Sequence, residues 1–326
     1  MSVALDAEGL EGLLADPEVS EILLNGGGSA FVERAGQLEP VSIDLDEGDV
    51  RRIVERIIGP LGLRLDRSSP MVDARLPDGS RLHAVLPPIA VDGTCVAIRR
   101  FGSRPRQLAD FALAPPGVAL LRWAVAAGWN LLLSGGTGAG KTTLLNVLAG
   151  AVPSGERIVT IEETAELALG QPHVVRLEAR PANAEGAGAV PMRALVRAAL
   201  RLRPDRLVVG EVRGEEAFDL LQALNTGHAG GLSTIHANGP GEALARLESL
   251  VLLARLGLPL EAIRSQIHAA VDAVVHVSRH PDGRRTIEAI AELSGRSGLR
   301  TLYPAGEKAA PTRPPRRPGA AAWLLP

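Results

Sequence analysis

Apolar residues follow two different rhythms along this chain. Between 47 and 58 they fall at Val50, Ile53, Val54, Ile57 and Ile58, the spacing of a helix with one buried face. From 130 onward they come in short apolar segments: NLLLS at 130–134, RIVTIE at 157–162, HVVRLEA at 173–179, RLVVGE at 206–211 and LSTIHA at 232–237. Helical stretches such as TTLLNVLAG at 142–150 and PMRALVRAALRLRP at 191–204 separate them. Such apolar segments are strands buried on both faces, and their alternation with helices predicts an α/β fold on a mainly parallel sheet.

The first hundred residues read differently. FVERAGQLEPVSI at 31–43 predicts a hairpin around Ala35-Gly36, and a second hairpin flanks the turn Pro77-Asp78-Gly79. A further strand, TCVAIRRF, ends at Phe101. Residues 102–116 carry Pro105, Pro115 and Pro116 with Gly102 and Ser103, which predicts a linker. The expected organisation is an α/β domain over 1–101, a linker over 102–116, a second domain over 117–300 and a tail over 301–326. VVHVSRHPDGRRTIEAIAEL at 274–293 predicts a hairpin turning at Asp282-Gly283. The tail holds Arg313, Arg316 and Arg317 among prolines and too few apolar side chains to order alone, so disorder is expected there.

Composition narrows the picture. Aromatic residues make up 2% of 326 and hydrophobic ones 46%, so the core must be aliphatic. A net charge of −2 gives no global electrostatic case for nucleic acid. Cys95 is the only cysteine, which excludes an internal disulfide. The start, MSVALDAEGLEGLL, has no basic region ahead of its apolar residues and does not read as a signal peptide. No stretch reaches the roughly 18 uncharged apolar residues of a membrane span.

The candidate chemistry begins at 135. GGTGAGKT at 135–142 fits the phosphate-binding P-loop (Walker A) pattern, and it stands between an apolar strand and a helix, the context that pattern needs. Lys141 and Lys308 are the only lysines in the chain, so an arginine-rich sequence keeps a compact ammonium at this position. Gly135, Gly136, Thr137, Gly138, Ala139, Gly140, Lys141, Thr142 and Thr143 are the candidate nucleotide-binding residues, with ATP the expected ligand. The Thr142 hydroxyl is expected to hold Mg²⁺.

Carboxylates follow at strand tips. IEETAEL at 161–167 presents Glu162, Glu163 and Glu166, able to hold Mg²⁺ or to orient the attacking water. RLVVGEVRG at 206–214 is a Walker-B-like element with Glu211 at its tip, a second candidate for metal or water, and Arg213 two residues on, placed to pair with Glu211 or with a phosphate. TGHAGGLSTIHANG at 226–239 carries His228 and His236, whose spacing does not suit zinc and whose expected partner is the γ-phosphate or its neighbours. An arginine supplied in trans is also expected. Arg99 and Arg100, at the end of the last N-domain strand, and Arg193, Arg197, Arg201 and Arg203 are the candidates.

Together these segments resemble the ATPases of the type II/IV secretion superfamily, and within it the CpaF-like ATPases of tight-adherence (Flp, type IVc) pilus assembly. RIVTIEETAEL, LVRAALRLRPDRLVVGEVRGEEAFDLLQALNTGHAGGLSTIHAN and, upstream, VSEILLNG at 19–26 and SSPMVDARLPDGSRLHAVLPPIAVDG at 68–93 carry the likeness. The resemblance implies a RecA-like P-loop NTPase C-terminal domain with a smaller PAS-like N-terminal domain. It also implies a homo-oligomer, hexameric in the family, on the cytoplasmic face of an inner membrane beside platform proteins, with no nucleic-acid partner. It places the acidic box at Glu162, Glu163 and Glu166, the Walker-B glutamate at Glu211, the His box at His228 and His236, and a nucleotide-reaching arginine at Arg99 or Arg100. Two other readings stay open from the residues: a RecA-like nucleic-acid motor and a nucleotide-gated scaffold.

Overall fold

The computed structural model describes residues 8–26, 28–34, 37–42, 45–76, 78–100, 107–182, 186–295, 298–304 and 310–317. The chain divides into two units, Met1–Pro105 with the short segment Ala182–Gly188, and Arg106–Pro181 with Ala189–Pro326.

In the first unit, α1 (Glu8–Ala15), β1 (Val19–Asn25), β2 (Ser29–Arg34) and β3 (Gln37–Ser42) precede α2 (Glu47–Ile58), and β4 (Met71–Arg75), β5 (Arg81–Val85) and β6 (Cys95–Arg99) follow it. The strands form one sheet in the order β3-β2-β1-β6-β5-β4, antiparallel throughout. Alternate residues of the strands, among them Ile22, Leu24, Leu82, Ala84, Val96 and Ile98, meet Val50, Ile53, Val54, Ile57 and Ile58 of α2 in one core. The helix starts at 47 because Asp46 and Asp49 cap each other's backbone amides. Glu47 then fastens it to the sheet by accepting from the Thr94 amide at 2.9 Å. Both expected hairpins are present as β2–β3 and β4–β5, although Ala35, Gly36 and Pro77 lie outside the described residues.

The second unit runs α3 (Pro115–Ala126), β7 (Leu131–Gly135), α4 (Lys141–Gly150), β8 (Ile158–Glu162), β9 (Val174–Glu178), α5 (Met192–Ala199), β10 (Arg206–Val209), α6 (Glu216–Asn225), β11 (Leu232–His236), α7 (Pro240–Leu253), α8 (Leu260–Ala270), β12 (Ala273–Arg279), β13 (Arg285–Ser294) and β14 (Gly298–Tyr303). Its eight-stranded sheet has the order β14-β13-β12-β7-β11-β10-β8-β9. From β12 to β9 neighbouring strands are parallel, and β13 and β14 add antiparallel to the β12 edge. Leu131, Leu133, Val208 and Val275 enter one core, while Leu132, Leu207, Val209 and Val274 enter another. Successive residues of a strand thus feed opposite faces, which is why apolar residues follow one another instead of alternating with polar ones.

Three expectations need correction. The linker does not extend to 116: Leu108–Phe111 form a short 3-10 turn whose Leu108 and Phe111 are buried in the second unit's core with Leu113. Those three apolar side chains outweigh the flanking prolines. The helix expected to 204 ends at Ala199, continues as one 3-10 turn over Leu200–Leu202, and stops at Arg203, which takes φ 53°. Arg203 precedes Pro204, and a residue before proline is pushed out of the helical region.

The third correction concerns the tail. β14 reaches Tyr303, and residues 310–317 lie along the second unit. Thr312 Oγ1 donates to Glu292 (2.9 Å) and Arg313 to Asp272 (2.8 Å). Arg316 donates to Asp272 (2.5 Å), Arg317 to Glu156 (2.6 Å), and Trp129 Nε1 to the Pro314 carbonyl (3.3 Å). Glu292 is fully buried and Asp272 nearly so. Burial pushes the Glu292 carboxyl up, but hydrogen bonds from Arg300, the Arg313 amide and Thr312 outweigh it and hold the group below its ordinary value. The disorder expectation weighed only apolar burial. This segment is ordered by ionic and carbonyl partners that the sequence does not display as neighbours.

Candidate functional site

In a parallel sheet the loops at the carboxyl ends of the strands gather at one edge, and the crevice there is where ligands bind. β7, β8, β10 and β11 are adjacent or nearly so, and each ends in a residue or loop singled out by the sequence.

β7 ends at Gly135, the P-loop follows, and α4 opens at Lys141. Gly138 (φ 69°) and Gly140 (φ 99°) adopt the left-handed conformation that glycine tolerates without strain. Lys141 is 9% exposed, and its Nζ donates to the Gly135 (3.0 Å) and Gly136 (2.9 Å) carbonyls. The ammonium is thereby folded back onto its own loop. Thr142 and Thr143 stand half-buried in the first turn of α4, whose free amides and dipole favour an anion.

β8 ends at Glu162, which is 2% exposed. Its Oε1 accepts from the amides of Glu166 (2.8 Å) and Leu167 (3.0 Å), so the acidic segment is wrapped around this carboxylate. Its Oε2 is buried without a hydrogen-bond partner. Burial raises the pKa, opposed by the two amides. Gly210 packs against the same side chain: a β-carbon there would lie 2.9 Å from Glu162 Cγ. A side chain at position 210, directly before Glu211, would therefore force Glu162 to shift.

Arg213 unites the remaining acids. Its guanidinium donates to Glu163 Oε2 and to Glu211 Oε2, each at 2.7 Å. Of the two roles expected for Arg213, the structure displays the carboxylate pairing. The turn that aims it is held by Glu216, a buried residue at the start of α6 whose Oε1 accepts from the Arg213 (2.7 Å) and Gly214 (2.8 Å) amides. Sequence reasoning missed Glu216, although an acid three residues after Arg213 at a helix start is a capping signal.

β11 completes the edge. Thr234 Oγ1 donates to the Gly210 carbonyl (2.6 Å) and the Val212 amide to the Thr234 carbonyl (2.9 Å), tying β11 to the Walker-B tip. His236, exposed at the end of β11, pairs in register with Gly135. His228 lies elsewhere: its amide and Nδ1 both engage the Ala223 carbonyl at the end of α6 (3.3 and 3.2 Å). Arg99 and Arg100 belong to the first unit, where Arg99 is exposed and Arg100 donates to the Asp16 and Val19 carbonyls. Arg193 and Arg197 share Asp219, both at 2.7 Å.

A polar knot at the amino ends of β7, β10 and β11 was also missed. Arg206 is fully buried, paired with Glu156 (2.5 Å) and donating to the Gly230 carbonyl (3.3 Å). Asn130 Oδ1 accepts from the amides of Gly230 and Gly231, each at 2.8 Å. The legible signal was a charge opening the apolar run RLVV.

The Glu162 environment yields a pH test. Its carboxyl titrates above its ordinary value of 4.5, so the folded state favours the protonated form. The group's favourable contribution is complete below that value and is lost as pH rises through the folded pKa. Glu162→Gln, a neutral isostere, is expected to raise the melting temperature at about pH 8 and to add nothing at about pH 4. Equal gains at both pH values would refute the assignment.

Comparison with known proteins fits this geometry. The family model described as "Type II/IV secretion system protein" matches residues 4–297. A Mycobacterium tuberculosis protein named "Putative conjugal transfer protein" is 47% identical over 300 residues, covering 89% of this chain and 85% of that one. Protein VirB11 of Agrobacterium fabrum is 33% identical over 308 residues, covering 82% and 87%. Among solved structures, the Legionella pneumophila ATPase DotB superposes with a TM-score of 0.65 at 21% identity over 87% of this chain and 79% of that one, a likeness of fold alone. Among the described residues no helix is long and apolar enough to cross a membrane. With a glycine loop between strand and helix, an acidic segment and a carboxylate beyond a strand tip along one sheet edge, the chain belongs to the type II/IV secretion system protein family and is an ATPase of that family.

Proposed function

We propose that the second unit is a RecA-like motor domain, that the first is a PAS-like partner domain, and that the chain works as a homohexameric ring beneath platform proteins at the cytoplasmic face of an inner membrane. The observation that carries the catalytic part is the Arg213 clamp, which holds Glu163 and Glu211 together at the tips of β8 and β10. Three central strands away from β8 in the sheet, β7 presents the P-loop. The strand order β12-β7-β11-β10-β8, with the P-loop after the first strand in sequence, supports the RecA-like reading. The six-stranded antiparallel sheet with α2 inserted between its halves supports the PAS-like one.

On this reading Lys141 leaves the Gly135 and Gly136 carbonyls for the β- and γ-phosphates of ATP, and the amides from Gly138 to Thr143 close around the phosphate oxygens. The oxygen donors fit Mg²⁺: the Thr142 hydroxyl with the carboxylates of Glu163 and Glu211 form a hard, all-oxygen set. When bound, the ion neutralises charge on the phosphates. Arg213 donates to Oε2 of Glu211, and on this reading the other carboxylate oxygen orients water toward the γ-phosphate, with Glu163 as the second candidate. Glu162 shapes the acidic segment, and its buried carboxyl makes it a positioning residue in this scheme. His236 senses the γ-phosphate from the β11 tip. His228, engaged at Ala223, joins only if the loop between α6 and β11 rearranges. Arg99 or Arg100, or an arginine of a neighbouring subunit, completes the charge, and loss of the γ-phosphate frees the first unit to move.

The cargo class follows the resemblances. CpaF-like segments favour assembly of a tight-adherence pilus; the conjugal-transfer name of the Mycobacterium tuberculosis relative favours a conjugation-type secretion machine. The ring is tested by measuring turnover per subunit against protein concentration, with mass determined in parallel. Activity is expected to rise as the chain assembles. Full activity in a monomer at high dilution would refute the ring and its trans arginine together.

A further inference from the structure

The P-loop glycines have a second neighbour besides any phosphate: the β12–β13 hairpin. Ser134 Oγ and His276 Nδ1 lie 3.0 Å apart where β7 and β12 pair. One residue on, a β-carbon at Gly135 would collide with the carbonyl oxygen of Val277. At Gly138 a β-carbon would stand 3.5 Å from Arg279 Nη1. At Gly140 it would stand 2.7 Å from Arg285 Cδ, 3.0 Å from its Nε and 3.6 Å from Phe111. Arg279 and Arg285 face each other as the last rung of the hairpin. Three glycines of one loop are thus backed, in order, by three residues of one hairpin.

We propose that this rung is the brace of the nucleotide cradle: the stem of Arg285, with Phe111, presses on Gly140 and the guanidinium of Arg279 stands over Gly138, fixing the loop in the shape that binds a nucleoside triphosphate. The proposal deepens the nucleotide-site reading and rests on it. Gly140 is the residue directly before Lys141, so play at Gly140 moves the ammonium and the first amides of α4. A misplacement near 1 Å weakens charge-assisted contacts severely. Arg279 and Arg285 act through the loop and are positioning residues. Their sequence signal was concealed, because HPDG reads as an ordinary exposed turn and the arginines flanking it as surface charge.

The test compares Arg285→Ala, Arg285→Lys, Arg279→Ala and, as a control at the exposed hairpin tip, Arg284→Ala in the full chain, measuring KM and kcat for MgATP, ADP affinity by calorimetry, and melting temperature. Arg285→Ala is expected to raise KM and weaken ADP about tenfold with a much smaller change in kcat. Arg285→Lys, which keeps an aliphatic stem over Gly140, is expected to restore most of that affinity. Arg279→Ala is expected to act in the same direction and less strongly, and Arg284→Ala to leave both constants alone. If KM for Arg285→Ala stays within about twofold of the parent while Lys141→Ala is inactive, the brace is wrong and the site stands. If Lys141→Ala remains active, the site reading itself fails. Loss of melting temperature without a KM shift, or no recovery with lysine, would also overturn the brace.

Discussion

Lys141→Ala is expected to cut ATP turnover by about 10²–10³-fold or more while leaving the melting temperature close to that of the parent chain. The asymmetry follows from what Lys141 touches. Its ammonium donates to two carbonyls of its own loop, Gly135 and Gly136, and water at the mouth of the loop can replace both bonds. Nothing replaces it at the developing charge of phosphoryl transfer, where a preorganised cation is the largest single contribution. Arg at this position is expected to rescue poorly, because a planar fork cannot stand in for a point charge inside a glycine loop. Steady-state phosphate release alongside thermal melting decides it. Retained turnover would remove the P-loop from the mechanism.

The second large effect is on stability. Arg206→Ala is expected to destabilise the second unit by about 3–5 kcal/mol, the usual result of removing one member of a buried ion pair. Arg206 has no exposed surface, pairs with Glu156 and donates to the Gly230 carbonyl. Gly230 takes φ 84° and has no room for a β-carbon against the Arg206 guanidinium, so the two residues fit only each other. Arg317 also reaches Glu156 at 2.6 Å and softens the loss, which places the expectation at the lower end of that range. Equilibrium denaturation of the full chain measures it. A change below about 1 kcal/mol would mean that Arg206 is a bystander in a well-packed core.

Much of this was readable beforehand, for identifiable reasons. The helix over 47–58 was legible because its apolar residues recur at helical spacing. The central strands were legible because burial on both faces makes their segments strongly apolar, with few polar residues among them. The glycine loop, Glu163, Glu211 and Arg213 could be named as candidates because their chemistry is written within short segments. What escaped was everything made by distant segments meeting. Glu163 and Arg213 are 50 positions apart, and Arg317 and Glu156 are 161 apart. No local pattern announces such pairs. His228 shows how a local pattern leaves a partner open: its Gly-rich neighbourhood suggested a phosphate, and its Nδ1 lies 3.2 Å from the Ala223 carbonyl at the end of α6.

The seating of 310–317 has a practical corollary for anyone handling this protein. A purification handle or fluorescent fusion joined directly after Arg317 would crowd the contact of Trp129 Nε1 with the Pro314 carbonyl. A chain cut back to residue 304 would strip Glu292 of the Thr312 and Arg313 amides while keeping Arg300, turning a shielded acid into a solvated one. Material trimmed for convenience at that end is therefore a different molecule in its electrostatics, whatever its sequence alignment suggests.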